Sequence, residues 1–268
     1  MKTILSTSGF SMVAGLSLLG SFLSHSAMAA LHTETVEYKQ GDQVLEGFIA
    51  YDDHGPAKRP GVLVVHDWMG QGDYTKKRAT QLAEMGYVAF AADIYGKGNS
   101  PKNQEEAAKL AGTYKADRGL LRARAQAAFD TLVKNSKVDR AHVAAIGYCF
   151  GGTTVLELAR SGAPLVGIVS FHGGLDTPNP ADAKNIKGKV LALAGADDPY
   201  VPADQVAAFE DEMRKAKVDW QLVRYGNTVH SFTIASAGND NSKGAAYNAK
   251  SDARSWKAMQ DFFGETLK

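Results

Sequence analysis

The chain has 268 residues, 30 basic and 29 acidic side chains, a formal charge of +1 and a single cysteine. So even a balance excludes nucleic acid as the main partner, because phosphate binding needs a concentrated positive field. One cysteine excludes a disulfide-stapled scaffold, and the lack of a fixed repeat or low-complexity run in the mature region excludes solenoids and arrays.

The first predicted element is an export leader. Lys2 precedes an apolar stretch from Phe10 to Leu23 and then Ala27-Met28-Ala29, the A-x-A pattern read by signal peptidase. The stretch is shorter than the ~20 apolar residues that span a bilayer, and no later segment approaches that length. Cleavage after Ala29 is therefore expected, with an uncleaved membrane anchor as the alternative. It would release one domain, residues 30–268, to the periplasm or the exterior, free of the membrane and with no formal charge once Lys2 is gone.

The mature region reads as alternating strands and helices. Strands are predicted over Glu34 to Lys39, Val44 to Tyr51, Gly61 to His66, Tyr87 to Ala92, His142 to Gly147, Leu165 to Phe171, Val190 to Gly195 and Trp220 to Tyr225. Helices are predicted over Tyr74 to Met85, Gln104 to Tyr114, Gly119 to Lys134, Gly152 to Ser161, Ala203 to Ala216 and Ser251 to Thr266. The first two strands form an antiparallel hairpin across Gln40-Gly41-Asp42. Later ones are short apolar runs such as Gly61-Val62-Leu63-Val64-Val65, the pattern of parallel strands buried on both faces. The expected class is α/β: a mostly parallel sheet with helices on both faces and its site at the carboxyl ends of the strands.

Cys149 stands in Gly147-Tyr148-Cys149-Phe150-Gly151-Gly152, between an apolar strand and a helical run. This resembles the G-x-S-x-G nucleophile elbow of the α/β-hydrolase fold, with a thiol in place of the hydroxyl. The glycines would allow strand and helix backbones to approach closely. In an oxidising compartment a lone thiol points to chemistry rather than to a disulfide, the bland alternative being a buried structural cysteine.

In that fold the nucleophile is followed by an acid and then a histidine. Only His172 and His230 follow Cys149. His230 lies after the last strand, where the general base belongs, whereas His172 directly follows the strand after the elbow and reads as a wall or loop-anchoring residue. The acid belongs in Gly195-Ala196-Asp197-Asp198-Pro199, and spacing leaves both aspartates open. His66-Asp67-Trp68-Met69-Gly70 ends the first buried strand, the place of the loop that donates one oxyanion N–H; the Trp68 and Phe150 backbone N–H groups are the expected pair. Asp67 either caps the turn or acts as a thiol switch, since a carboxylate near a thiol disfavours the thiolate. The loop from Ala235 to Lys250 either shapes the pocket mouth or is plain surface.

These motifs, with Ala91-Ala92-Asp93-Ile94-Tyr95-Gly96 and His230-Ser231-Phe232 in the same order, resemble the dienelactone hydrolase family from about Thr33 to the final helix. The resemblance implies a catalytic triad of Cys149, Asp198 and His230, and makes Asp67 the counterpart of the acid, usually glutamate, that holds the resting thiol. It implies a small-molecule ester or lactone hydrolase. The mechanism expected of such a triad runs through an acyl-thioester and needs no metal or organic cofactor, and a monomer or weak homo-oligomer is expected. The family's two carboxylate-gripping arginines are replaced by Gly96-Lys97 and Ile234, so dienelactone itself ranks below another ester or lactone as the expected substrate. Lys97 could supply a point charge but not arginine's two-pronged donor geometry. Two other classes compete: an envelope thiol redox protein, against which the lack of a C-x-x-C pair speaks, and a non-catalytic small-molecule binder on the same scaffold.

Overall fold

The computed structural model describes residues 1–3 and 30–268. The leader reading, Phe10 to Leu23 with cleavage after Ala29, lies outside the described residues. Among the described residues no helix is long and apolar enough to cross a membrane.

Eight strands form one sheet: β1 (Leu31–Gln40), β2 (Gln43–Asp52), β3 (Arg59–Val65), β4 (Val88–Ala92), β5 (Val138–Tyr148), β6 (Gly167–Phe171), β7 (Lys189–Gly195) and β8 (Trp220–Tyr225). Their spatial order is β1-β2-β4-β3-β5-β6-β7-β8. The hairpin β1–β2 pairs antiparallel in register from Leu31 opposite Asp52 to Gln40 opposite Gln43. Strand β2 also runs antiparallel to β4, and every later pairing is parallel. The helices are α1 (Asp73–Glu84), α2 (Gln104–Ala116), α3 (Arg118–Lys134), α4 (Phe150–Arg160), α5 (Ala203–Ala216) and α6 (Ala249–Thr266).

Alternation along the central strands builds two cores. Leu63 and Val65 of β3 face one side with Val143 and Ala145 of β5, packed beneath α3, α4 and α5. Val62, Val64, Ala144 and Ile146 face the other, beneath α1 and α6. Both faces are covered, which is why these strands read as continuous apolar runs. This is an α/β-hydrolase fold with an N-terminal antiparallel hairpin.

Strand β5 starts at Val138, four residues before the apolar run that signals it in the sequence. Its first residues pair with Arg59 and Pro60 before the register shifts between Pro60 and Gly61. Asp139, Arg140 and Ala141 lie on this outer stretch and are not buried, so no hydrophobic pattern marked it. From β3 the chain steps outward to β4 and later returns to β3's other side as β5. The carboxyl ends of β3 and β5 therefore border the point where winding reverses, where open α/β sheets bind ligands.

Candidate active site

At the end of β5 the backbone turns sharply into α4 through Cys149, which holds φ 53° and ψ −112°. This is a strained conformation for a residue with a Cβ. The neighbouring glycines explain how the turn closes. A Cβ on Gly147 would lie 2.0 Å from the Gly151 carbonyl oxygen, and one on Gly151 would lie 2.3 Å from that of Val65. Only backbone fits between β3, β5 and α4. The Cys149 N–H bonds the Phe171 carbonyl at 3.0 Å, and the Cys149 carbonyl accepts from Gly152 at 3.0 Å, fixing the elbow to β6 and to its own helix.

The thiol meets His230, whose Nε2 is 3.0 Å from Cys149 Sγ. On the opposite ring edge His230 Nδ1 donates to Asp198 Oδ2 at 2.8 Å. Asp198 Oδ1 accepts from the Tyr200 N–H at 2.8 Å, so both carboxylate oxygens are engaged. Asp198 is buried, whereas its neighbour Asp197 is exposed. Burial acts against a charged imidazole at His230, but Cys149 and Asp198 outweigh it and push its pKa up to about 10. The loop from Ala235 to Lys250 grips the same histidine: His230 N–H bonds the Gly244 carbonyl at 3.2 Å and Ala246 N–H bonds the His230 carbonyl at 3.0 Å. It is more than plain surface, because Ala245 also lines the cleft.

His172 lies behind this group rather than in the cleft wall. It is fully buried, its Nε2 is 2.8 Å from Thr233 Oγ1, and its ring meets His230 edge-on at 5.4 Å. Burial, then the charge of His230, holds its pKa well below the ordinary histidine value, so it anchors the His230 loop as a neutral ring.

Trp68 and Phe150 flank the sulfur in the cleft. Among the described residues neither backbone N–H has a hydrogen-bond acceptor, while the next N–H along the loop, Met69, is taken by Asp67 Oδ1 at 2.7 Å. The Asp67 carboxylate thus caps its own turn, and the polar partner of the sulfur is His230. Burial raises the Asp67 pKa, opposed first by the Met69 N–H.

The cleft holds about 310 Å³ and is lined mostly by apolar surface. Its rim adds residues that the sequence reading did not single out: Ala108, Ala111, Gly112 and Lys115 from α2, and Asp176. Tyr200, which stands 60% exposed, stacks edge-on to His230 at 5.1 Å. Lys97 is not at the rim; its ammonium pairs with Glu37 and Glu46 beside the hairpin. Ile234 is buried. Among the described residues no group of three or more His, Cys, Asp or Glu side chains could hold a metal ion.

Comparison with known proteins bears on the family. The solved structure named m3DLH is 42% identical, superposes with a TM-score of 0.86, and the match covers 89% of this chain and 100% of that one. The dienelactone hydrolase-like promiscuous phosphotriesterase P91, from metagenomic libraries, is 43% identical with a TM-score of 0.85 over 89% of this chain and 99% of its own. A protein of Aquifex aeolicus that carries a provisional carboxymethylenebutenolidase name is 27% identical over 239 residues, 88% of this chain and 99% of the relative. The model of the dienelactone hydrolase family matches residues 45–267, and the chain belongs to that family.

Proposed function

We propose that the protein hydrolyses a carboxylic ester or lactone through Cys149, His230 and Asp198. The observation that carries this reading is the continuous run from Asp198 to His230 to Cys149 Sγ, at 2.8 and 3.0 Å, in a cleft also lined by Trp68 and Phe150, whose two N–H groups have no acceptor among the described residues. The substrate carbonyl oxygen sits between the N–H groups of Trp68 and Phe150. The one proton shared by Cys149 and His230 rests on His230 Nε2, where the sulfur and Asp198 stabilise it, and the sulfur adds to the carbonyl carbon. The C=O π electrons move to oxygen, where each donor is worth about 3 kcal/mol in the transition state. Collapse breaks the C–O bond, and the leaving alkoxide takes the proton from His230, leaving an acyl-thioester. Water then attacks, giving a proton to His230; the C–S bond breaks, the acid departs, and the sulfur is left beside the protonated His230, as at the start.

Cys149→Ala tests the reading. Turnover of aryl acetates and simple lactones should fall at least ~1,000-fold with the fold intact by circular dichroism. Wild-type turnover that survives the substitution would remove Cys149 from the mechanism. Loss of peroxide reduction alone would favour a redox protein, and ligand binding without turnover would favour a binder.

A second activity has a specific motive. P91 is named a promiscuous phosphotriesterase and is 43% identical to this chain. The same sulfur attacking phosphorus would displace an aryl alkoxide from a neutral triester, and the two cleft N–H groups would receive the phosphoryl oxygen. A diethyl aryl phosphotriester therefore belongs in the substrate panel. We also propose that the enzyme is exported and processed after Ala29; the purified mature protein should begin at Ala30, as N-terminal sequencing would establish.

A further inference from the structure

We propose that His66 is a positioning residue that aims the Trp68 N–H into the oxyanion hole; this rests on the hydrolase reading. His66 follows β3 and is fully buried. Its Nε2 accepts the Ile94 backbone N–H at 3.2 Å. An accepting nitrogen carries no proton, so the ring hydrogen is on Nδ1, which donates to the Asp67 carbonyl oxygen at 2.6 Å. Burial, ahead of every other influence, lowers the His66 pKa and keeps this neutral tautomer in place.

The acceptor is the decisive detail. The Asp67 carbonyl and the Trp68 N–H belong to one planar trans peptide and point in opposite directions. The bonds that hold the oxygen therefore set the direction of the N–H: the His66 ring at 2.6 Å is the shorter, and the Gly70 N–H at 3.2 Å is the longer. The next peptide is held separately, by the Tyr95 hydroxyl donating to the Trp68 carbonyl at 3.0 Å and by Asp67 Oδ1 on the Met69 N–H at 2.7 Å. Trp68 is thus pinned on both sides, and its N–H is the one group of the two peptides without a protein partner among the described residues. His66 also packs against the side chain of Phe150, the residue that carries the second donor. Its ring stacks on that of Phe150 at 5.7 Å and 16° between planes, and meets Tyr95 edge-on at 4.8 Å. One side chain spaces the two halves of the hole.

Two substitutions divide the hydrogen bond from the ring packing. His66→Asn places an amide N–H where Nδ1 stands but removes the ring; His66→Phe keeps a ring against Phe150 and Tyr95 but removes the donor. With an aryl acetate as substrate, H66F should lower kcat on the order of tenfold to a hundredfold, the scale of a misplaced reacting group, and leave KM within about threefold. H66N should retain kcat within about fivefold. An aryl trifluoromethyl ketone, which Cys149 adds to form a tetrahedral oxyanion, should lose affinity for H66F by the same factor as kcat. Alkylation of Cys149 by iodoacetamide develops no oxyanion and should keep its rate in both variants. If H66F does not fold, His66→Leu takes its place.

Unchanged kcat in the donorless variant overturns the proposal, as does activity that follows the ring rather than the donor. Parallel loss of kcat and alkylation also overturns it, since that marks general collapse of the site. If wild-type enzyme shows no Cys149-dependent turnover, the hydrolase reading itself fails, a result separate from all of these.

Discussion

Cys149, Phe150 and Trp68 on the floor of the cleft ride on backbone packed against other backbone, whereas Ala108, Gly112 and Lys115 at its rim are exposed residues of α2, a helix whose principal neighbour is α3. On the floor, a methyl group at Gly147 or Gly151 would fall within 2.3 Å of a carbonyl oxygen. At the rim, an added Cβ on Gly112 would meet nothing within 4 Å. The floor can therefore change only together with the fold, while the rim is free to change the substrate.

The sharpest way to break this contrast is to add one carbon on each side. Gly147→Ala should cost about 3 kcal/mol or more, because β5 and α4 cannot separate without moving the elbow, and should abolish ester hydrolysis. Gly112→Ala should change stability by no more than ~1 kcal/mol, in the stabilising direction expected for a helix interior. Urea midpoints of the two variants give the comparison, and equal shifts would refute it.

The same difference explains what could be read from the sequence. The elbow was legible because its constraint is local: glycines before and after Cys149, a strand on one side and a helix on the other. His230 was legible from chain order, since only two histidines follow the cysteine. Asp198 and Asp197 were not separable by spacing, because the difference between them is tertiary: one side chain turns inward to His230 and the other to solvent. The rim was invisible for a related reason. Ala108, Ala111, Gly112 and Lys115 share one stretch of an ordinary helix, and only its tertiary placement beside Cys149 and His230 makes that stretch a cleft wall. His66 lay inside a recognised motif, but its bond to the Asp67 carbonyl has no sequence signature.

The next test concerns charge on the floor. His230 is raised from 6.5 to about 10, so its contribution to stability is fully present below pH 6.5 and is lost as pH rises through about 10. Hydrolysis should decline over the same upper range, as His230 loses the proton that the leaving alkoxide needs. In Cys149→Ala the imidazole, followed by NMR, should titrate at lower pH, because the sulfur is the first of the influences that raise it. An unmoved titration would assign the shift to Asp198 alone.

Asp67→Asn asks whether the floor carries a switch. Asparagine keeps the oxygen that caps the Met69 N–H and removes the charge. If Asp67 restrains the thiol, the pH profile of Cys149 alkylation should move to lower pH while stability stays within ~0.5 kcal/mol. A profile that does not move would leave Asp67 as the cap of its turn and nothing more.

The smallest effect is expected at the rim, and it is one of selectivity. Lys115 is the only lysine or arginine among the cleft-lining residues and has no ion-pair partner among the described residues. Asp176, across the cleft, is neutralised by Arg118 Nη2 at 2.8 Å. The open cation should favour an ester bearing a carboxylate over its neutral analogue. Because Lys115 is exposed, the advantage is about 1 kcal/mol at most, roughly a fivefold preference, and salt should erode it. Lys115→Gln should abolish the preference by lowering kcat/KM for the anionic ester alone, with the neutral ester and the urea midpoint unchanged. If both esters slow together, Lys115 supports the position of α2 rather than reading charge, and the rim would be tied to the floor after all.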